Sequence, residues 1–279
     1  MSTTVVAIVL GSAFLHATWN ALAHSSKDRL AAMTLIAISS GALSAVLLAV
    51  SRPPAHAVWP YLAASGCVQG LYNFGLILAY RLGEFGRMYP LARGTSPLVV
   101  ALVATLALGQ HMSGLEAVGI GVVSAGLLAL AFSKGLPGRD DLPAVLAAVT
   151  TGCLIATYTL IDGVAVRRAG SVLGYAGWEF LLSAILMILG AVAIRRRALP
   201  RSLRSDAAKG LVGGIVCMTA YTLVLWAQTR GALAEVATLR ETSILIGAVI
   251  GAVVLKEGFG RLRVAASAGV VLGIVLIAH

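Results

Sequence analysis

Ten stretches of predominantly apolar residues, each about 18 to 25 long, follow one another through the 279-residue chain, and nothing else in it restricts the fold as much. A helix rising 1.5 Å per residue needs about 20 such residues to cross roughly 30 Å of hydrocarbon. Inside a bilayer the backbone has to satisfy its own hydrogen bonds, which leaves helices and closed barrels, and these runs lack the alternation of barrel strands. The expectation is an all-α integral membrane protein with spans near residues 3–23, 29–50, 58–80, 85–108, 114–132, 142–166, 172–194, 207–229, 233–255 and 262–278. The longest connector runs from Arg195 to Asp206, so no loop is large enough for a catalytic or nucleic-acid-binding domain. Function is expected within the membrane.

A formal charge of +10 would suggest nucleic acid in a soluble chain. Here only 11% of residues are charged, against about 25% in an ordinary soluble domain, and the basic ones gather at span ends. If the first span starts outside, the cytoplasmic connectors hold fifteen Lys and Arg residues, from Lys27 and Arg29 to Arg261 and Arg263. The opposite face keeps four, Arg52, Arg167, Arg168 and Arg230. The positive-inside rule then places both termini in the periplasm and the chain in the inner membrane, with lipid and not nucleic acid around it. The first span ends on Ala21-Leu22-Ala23, which has the small-x-small pattern of a signal cleavage site. No basic region precedes it and its apolar run exceeds a signal peptide's, so it reads as a span. Cys67, Cys153 and Cys217 lie inside spans without CxxC or Cys/His spacing, and neither a disulfide, a metal nor a cofactor is expected.

A shift of 147 positions lays Arg93 to Leu128 onto Arg240 to Val275 without a gap, matching Arg93 with Arg240, Thr95 with Thr242, Ser96 with Ser243 and Gly126 with Gly273. Ala17-Thr18-Trp19 falls on Ala156-Thr157-Tyr158, and Tyr72 on Tyr221, at slightly different offsets. Helices 1 to 5, residues 1–135, thus correspond to helices 6 to 10, residues 136–279. An odd number of crossings per copy inserts the second copy upside down, and such inverted repeats build secondary transporters with a binding site near the midplane.

The two five-helix repeats, His16-Ala17-Thr18-Trp19-Asn20-Ala21 in the first span, and the ends Leu108-Gly109-Gln110 and Leu255-Lys256-Glu257 of the fourth and ninth resemble the EamA-type branch of the drug/metabolite transporter superfamily. Within it the chain looks most like YddG-type amino-acid exporters. The resemblance runs over essentially the whole chain, on short motifs, and implies a ten-helix exporter of small molecules. The usual Leu-Gly-Glu is Leu-Gly-Gln after helix 4 and Leu-Lys-Glu after helix 9, which weakens any role carried over for that Glu.

Polar groups are costly in hydrocarbon, so those in the spans are expected to face the interior. Ser12, His16, Trp19, Asn20 and His24 form one stripe on helix 1, and Gln69, Tyr72, Asn73 and Tyr80 one on helix 3. Helix 4 offers Tyr89, Arg93 and Ser96; helix 6 Thr151, Tyr158 and Asp162; helix 9 Arg240 and Ser243, with Glu241 turned about 100° away. On helix 8, Tyr221 and Gln228 share one face and Thr219, Thr222 and Trp226 another. These stripes predict one central cavity between helices 1, 3, 4, 6, 8 and 9, with the Gly-rich helices 5 and 10 as scaffold. Gly269 and Gly273, in GxxxG spacing, serve either packing within the expected monomer or a dimer contact.

The candidate substrate contacts are His16, Trp19, Asn20, Gln69, Tyr72, Asn73, Tyr89, Arg93, Tyr158, Trp178, Glu179, Tyr221, Trp226, Gln228 and Arg240. Several also have a structural reading. His16 is either a cavity group or a buried histidine bonded to a backbone carbonyl. Trp59 reads as an interface anchor, as do Tyr175 and Trp178. Glu179 is either a cavity carboxylate or the partner of an interior arginine. Arg93 and Arg240 each lie near the middle of a span, where a guanidinium costs at least about 2.5 to 3.5 kcal/mol on insertion scales. Each therefore needs an ion pair, a route to the interface or a substrate carboxylate. Pro90 and Pro97 bracket Arg93 and predict a hinge in helix 4.

A transporter explains the repeat, the interior stripes and the absence of outer domains together. No HExxH, GxSxG or hydrolase-like pair of interior aspartates marks an intramembrane enzyme, and no filter-like loops mark a channel. Trp19, Tyr72, Tyr158, Tyr221 and Trp226, with the amides of Asn20, Asn73 and Gln228 and a nearby arginine, suit a small zwitterion with an apolar side chain. A cationic drug would instead favour Glu179, Glu241 or Asp162. Amino-acid export by alternating access is the expected function.

Overall fold

Local chemistry starts the helices where the apolar runs begin. The Ser2 hydroxyl accepts the Val5 N–H ahead of α1 (Thr3–His24), and the Asp28 carboxylate accepts that of Ala31 ahead of α2 (Arg29–Val50). Pro60 and Pro143 sit in the first turns of α3 (Trp59–Leu82) and α6 (Leu142–Val166), where a missing N–H removes no bond. Ser113 and Glu116 cap each other's backbone at the start of α5 (Gly114–Ala131), at 3.2 and 2.6 Å. Ser171 caps α7 (Val172–Arg195). The remaining long helices are α4 (Phe85–Leu106), α8 (Ala207–Gln228) and α10 (Arg261–Ala278), with the shorter α9 (Leu233–Arg240) between the last two.

This computed structural model describes the backbone of all residues but Lys27, Ser133, Lys134, Arg204, Ser205, 247–260 and His279, and of the rest it leaves only the side chains of His24, Phe85, Arg197, 261–264, Ala266 and Ala278 undescribed. Among the described residues all regular structure is helical. α1 to α8 are long and apolar enough to cross a membrane and match the first eight predicted spans to within two residues. Of α10, the stretch Ser267–Ile277 is apolar among the described residues. The connector from Arg195 to Asp206 is partly ordered, with a 3₁₀ turn at Arg196–Ala198 and a one-turn helix at Leu199–Leu203.

α4 runs as one helix through Pro90 and Pro97, whereas the ninth span is interrupted: α9 ends at Arg240, Glu241 lies in a turn, and helix resumes at 242–246. The Thr242 hydroxyl takes the Leu239 carbonyl at 2.8 Å, the kind of side-chain bond that competes with the helix ladder. The remainder of that predicted span, including Leu255-Lys256-Glu257, lies outside the described residues.

The most extensive packing pairs α1 with α8, α3 with α6, α2 with α7 and α5 with α10. Glycine sets the closest approaches. A Cβ on Gly152 of α6 would lie 2.5 Å from the Ala92 carbonyl of α4, and one on Gly119 of α5 2.7 Å from the Gly273 carbonyl of α10. Gly273 thus packs within the monomer, while Gly269 has nothing within 4 Å among the described residues. At one end of the bundle Arg195 grips Asp28 with two bonds of 2.6 and 2.9 Å, and Arg87 meets Asp141 at 3.1 Å.

Candidate functional site

Between α1, α2, α3, α6, α7, α8 and α9 lies a cavity of about 640 Å3, open mouth included. Its wall is a run of aromatic rings packed edge to face: Tyr72 on Tyr158 at 5.6 Å, Tyr158 on Tyr221 at 5.8 Å, and Tyr221 on Phe180 at 6.0 Å between centroids. Such rings offer an apolar surface with polar edges, which suits a small molecule carrying an apolar side chain. Polar lining comes from His16, Gln69, Asn73, Ser40 and Ser183. α4, α5 and α10 supply no lining residue among those described, while α2 and α7 supply several. Of the helices expected to form the walls, 1, 3, 6, 8 and 9 line this cavity, α4 does not, and α2 and α7 line it as well.

Trp19 is 4% exposed and divides this cavity from a second one of about 430 Å3, which Asn20, Arg29 and Tyr80 line with it; Met33 belongs to both walls. The Trp19 indole N–H donates to His16 Nδ1 at 3.2 Å, with the rings nearly perpendicular. His16 therefore holds the tryptophan and is not tied to a backbone carbonyl through Nδ1. Asn20 donates to the His16 carbonyl at 2.8 Å.

The two arginines that look equivalent in the repeat have different surroundings. Arg93 Nε lies 2.8 Å from Glu241 Oε2, a charge pair whose N–H does not point along the contact, and its Nη2 donates to Ser243 at 3.1 Å. Neither residue lines the cavity. Arg240 does line it. Its Nη2 donates to the Tyr158 hydroxyl at 3.3 Å, its Cζ sits 5.6 Å from the Tyr221 ring centroid, and its Nε and Nη1 have no hydrogen-bond partner among the described residues. A planar guanidinium at a cavity wall, with two buried nitrogens left unpaired, has the geometry and charge to hold a carboxylate.

Other candidates are placed elsewhere. Trp178 packs on Trp59 at 4.8 Å, Trp226 lies under the guanidinium of Arg230 at 4.5 Å, and buried Gln228 donates to the Thr159 carbonyl at 3.3 Å. Tyr89 packs beside Val123 and Leu127, away from the lining. Tyr175 is fully buried and is no interface anchor: it donates to Asp162 at 2.8 Å, as Tyr221 does at 2.6 Å. Glu179 is fully buried behind the wall. Met33, Ser40, Phe180, Ser183 and Cys217 line the cavity without having been singled out. The Leu-Gly-Gln motif also gains a role: Gly109 turns the chain with φ 62°, and Gln110 Oε1 accepts the Leu233 N–H at the start of α9.

Comparison with known proteins follows the same lines. A solved structure described only as "Crystal structure of protein" matches over 99% of this chain and 96% of its own, with a TM-score of 0.79 and 18% identity, which is a likeness of fold alone. A search among curated proteins finds no match. Residues 142–279 match the model of the EamA-like transporter family. The second half of the chain is thus similar to the EamA-like transporter family, and this similarity supports the drug/metabolite transporter superfamily.

Proposed function

We propose that the protein exports small zwitterionic metabolites, amino acids with apolar side chains first among them, across the inner membrane. The observation that carries this is Arg240, a buried guanidinium on an aromatic cavity wall with two nitrogens, Nε and Nη1, that have no hydrogen-bond partner among the described residues. The carboxylate common to all amino acids fits those donors, and the tyrosine rings fit the side chain. This is the chemistry expected of the YddG-type resemblance.

Alternating access between two inverted halves, 1–135 and 136–279, is the motion we infer. Its support is the pairing of helices: exchanging each helix with the one five places away turns α1–α8 into α6–α3 and leaves α2–α7 and α5–α10 paired as before. Both termini then face the periplasm, and the Asp28–Arg195 and Arg87–Asp141 pairs lie on the cytoplasmic face with most of the basic residues. A monomer suffices, since the cavity is built from one chain.

Counterflow tests this. Liposomes containing the purified protein and preloaded with one unlabelled L-amino acid are expected to accumulate the labelled form. Accumulation of organic cations, with no amino acid exchanged, would replace the proposal with a cationic-drug exporter.

A further inference from the structure

Five Asp, Glu, Lys or Arg side chains are buried among the described residues: Arg93, Arg240, Asp162, Glu179 and Glu241. Arg93 is neutralised by Glu241 at 2.8 Å. Asp162 accepts two tyrosine hydroxyls, from Tyr175 and Tyr221, and Arg240 lies over the Tyr221 ring. Glu241 and Asp162 are thereby provided with partners, and Glu179 is left over. Neither of its oxygens has a hydrogen-bond partner among the described residues. A carboxylate that is charged, buried and without a donor is far more costly than the same group as a neutral acid.

We propose that Glu179 is a proton-binding site one layer of side chains behind the wall of the transport cavity, occupied in this state and emptied during the cycle. This rests on the transport function proposed above. Phe180 and Ser183, the next residue and the next turn of α7, line the cavity, so the acid is one layer of side chains away from it. The groups facing Glu179 are Asp162 from α6, Cys217 and Tyr221 from α8, and Tyr175 of its own helix. The buried polar positions of α2 and α3 bring serine, threonine and glutamine side chains and no titratable one.

When the proton leaves, the O–H bond breaks, the electron pair stays on the carboxylate, and water in the cavity takes the proton. The surplus negative charge is offset by the ammonium end of an arriving zwitterion, so proton and substrate move in opposite directions.

Two measurements on the full-length protein test this. Infrared difference spectra over a pH series detect the carbonyl stretch of a protonated carboxylic acid, which a carboxylate lacks. Wild type is expected to show that band at neutral pH, and Glu179→Gln to lose it, with Asp162→Asn as the comparison. In liposomes with a luminal pH dye, an imposed leucine gradient is expected to drive protons the other way in wild type, with this movement lost in Glu179→Gln. No band at neutral pH, or a band removed by Asp162→Asn and retained in Glu179→Gln, would overturn the site. Leucine exchange without proton movement in wild type would overturn its part in the cycle. A wild type that shows the band yet exchanges no amino acid would instead count against the transport function and leave the proton site standing.

Discussion

Arg93 of α4 and Glu241, in the turn that ends α9, form a buried ion pair at 2.8 Å with both side chains at most 3% exposed. It joins a helix of the first half to the interruption in the second. Removing one partner of such a pair leaves the other charge uncompensated, at about 3 to 5 kcal/mol. Arg93→Ala and Glu241→Ala are each expected to lower the melting temperature and the folded yield in detergent. Replacing both by apolar residues of similar volume should recover much of the loss. An Arg93→Ala protein that melts like wild type would show that the pair does not brace the bundle.

The glycine contacts make a second stability prediction. Gly152→Ala places a methyl group 2.5 Å from the Ala92 carbonyl and 2.8 Å from Thr95 Cβ, so α4 and α6 have to part, at about 1 to 3 kcal/mol for overpacking. Gly121→Ala, with nothing within 4 Å, is expected to be neutral or slightly stabilising. Thermal melts of the two variants, compared in one detergent, check the contrast.

Much of this architecture is legible in the sequence because bilayer thickness dictates helix length, and eight spans are read to within two residues. The cavity is legible only where its wall is polar. Trp19, Tyr72 and Tyr158 fall on stripes with helical spacing, whereas Met33 of α2 and Phe180 of α7 belong to apolar helices whose inward face no polarity marks. Arg93 and Arg240 align when the sequence is shifted by 147 positions, and what separates them is the Glu241 side chain reaching across to α4. Likewise Trp226 reads as a cavity aromatic until Arg230, four residues on, is seen to cover it. Such partnerships are set by tertiary packing and have no counterpart in spacing along one helix.

Substrate ranking should respond to the wall between the two cavities. His16→Ala removes the acceptor that holds the Trp19 indole, and Trp19→Ala removes the wall itself. Both are expected to change the order of preference among amino acids, with the larger side chains gaining relative to the smaller. Competition assays with a panel of unlabelled amino acids read this. An unchanged order in Trp19→Ala would mean that Trp19 does not contact substrate.

Orientation is checked by a cysteine placed beside Arg201. If the basic connectors are cytoplasmic, an impermeant thiol reagent added to intact cells should not label it, and should do so after the membrane is opened. Labelling from outside would reverse the topology.

The most direct measurement is leucine counterflow by purified, folded Arg240→Ala protein in liposomes, beside wild type and Arg240→Lys. A charge-assisted carboxylate contact is worth about 1.5 to 3 kcal/mol, so Arg240→Ala should weaken exchange by roughly ten- to a hundredfold, for every amino acid alike. Lysine should restore little, because it keeps the charge but not the planar fork. Exchange at the wild-type rate in a folded Arg240→Ala protein would contradict Arg240 as the carboxylate anchor.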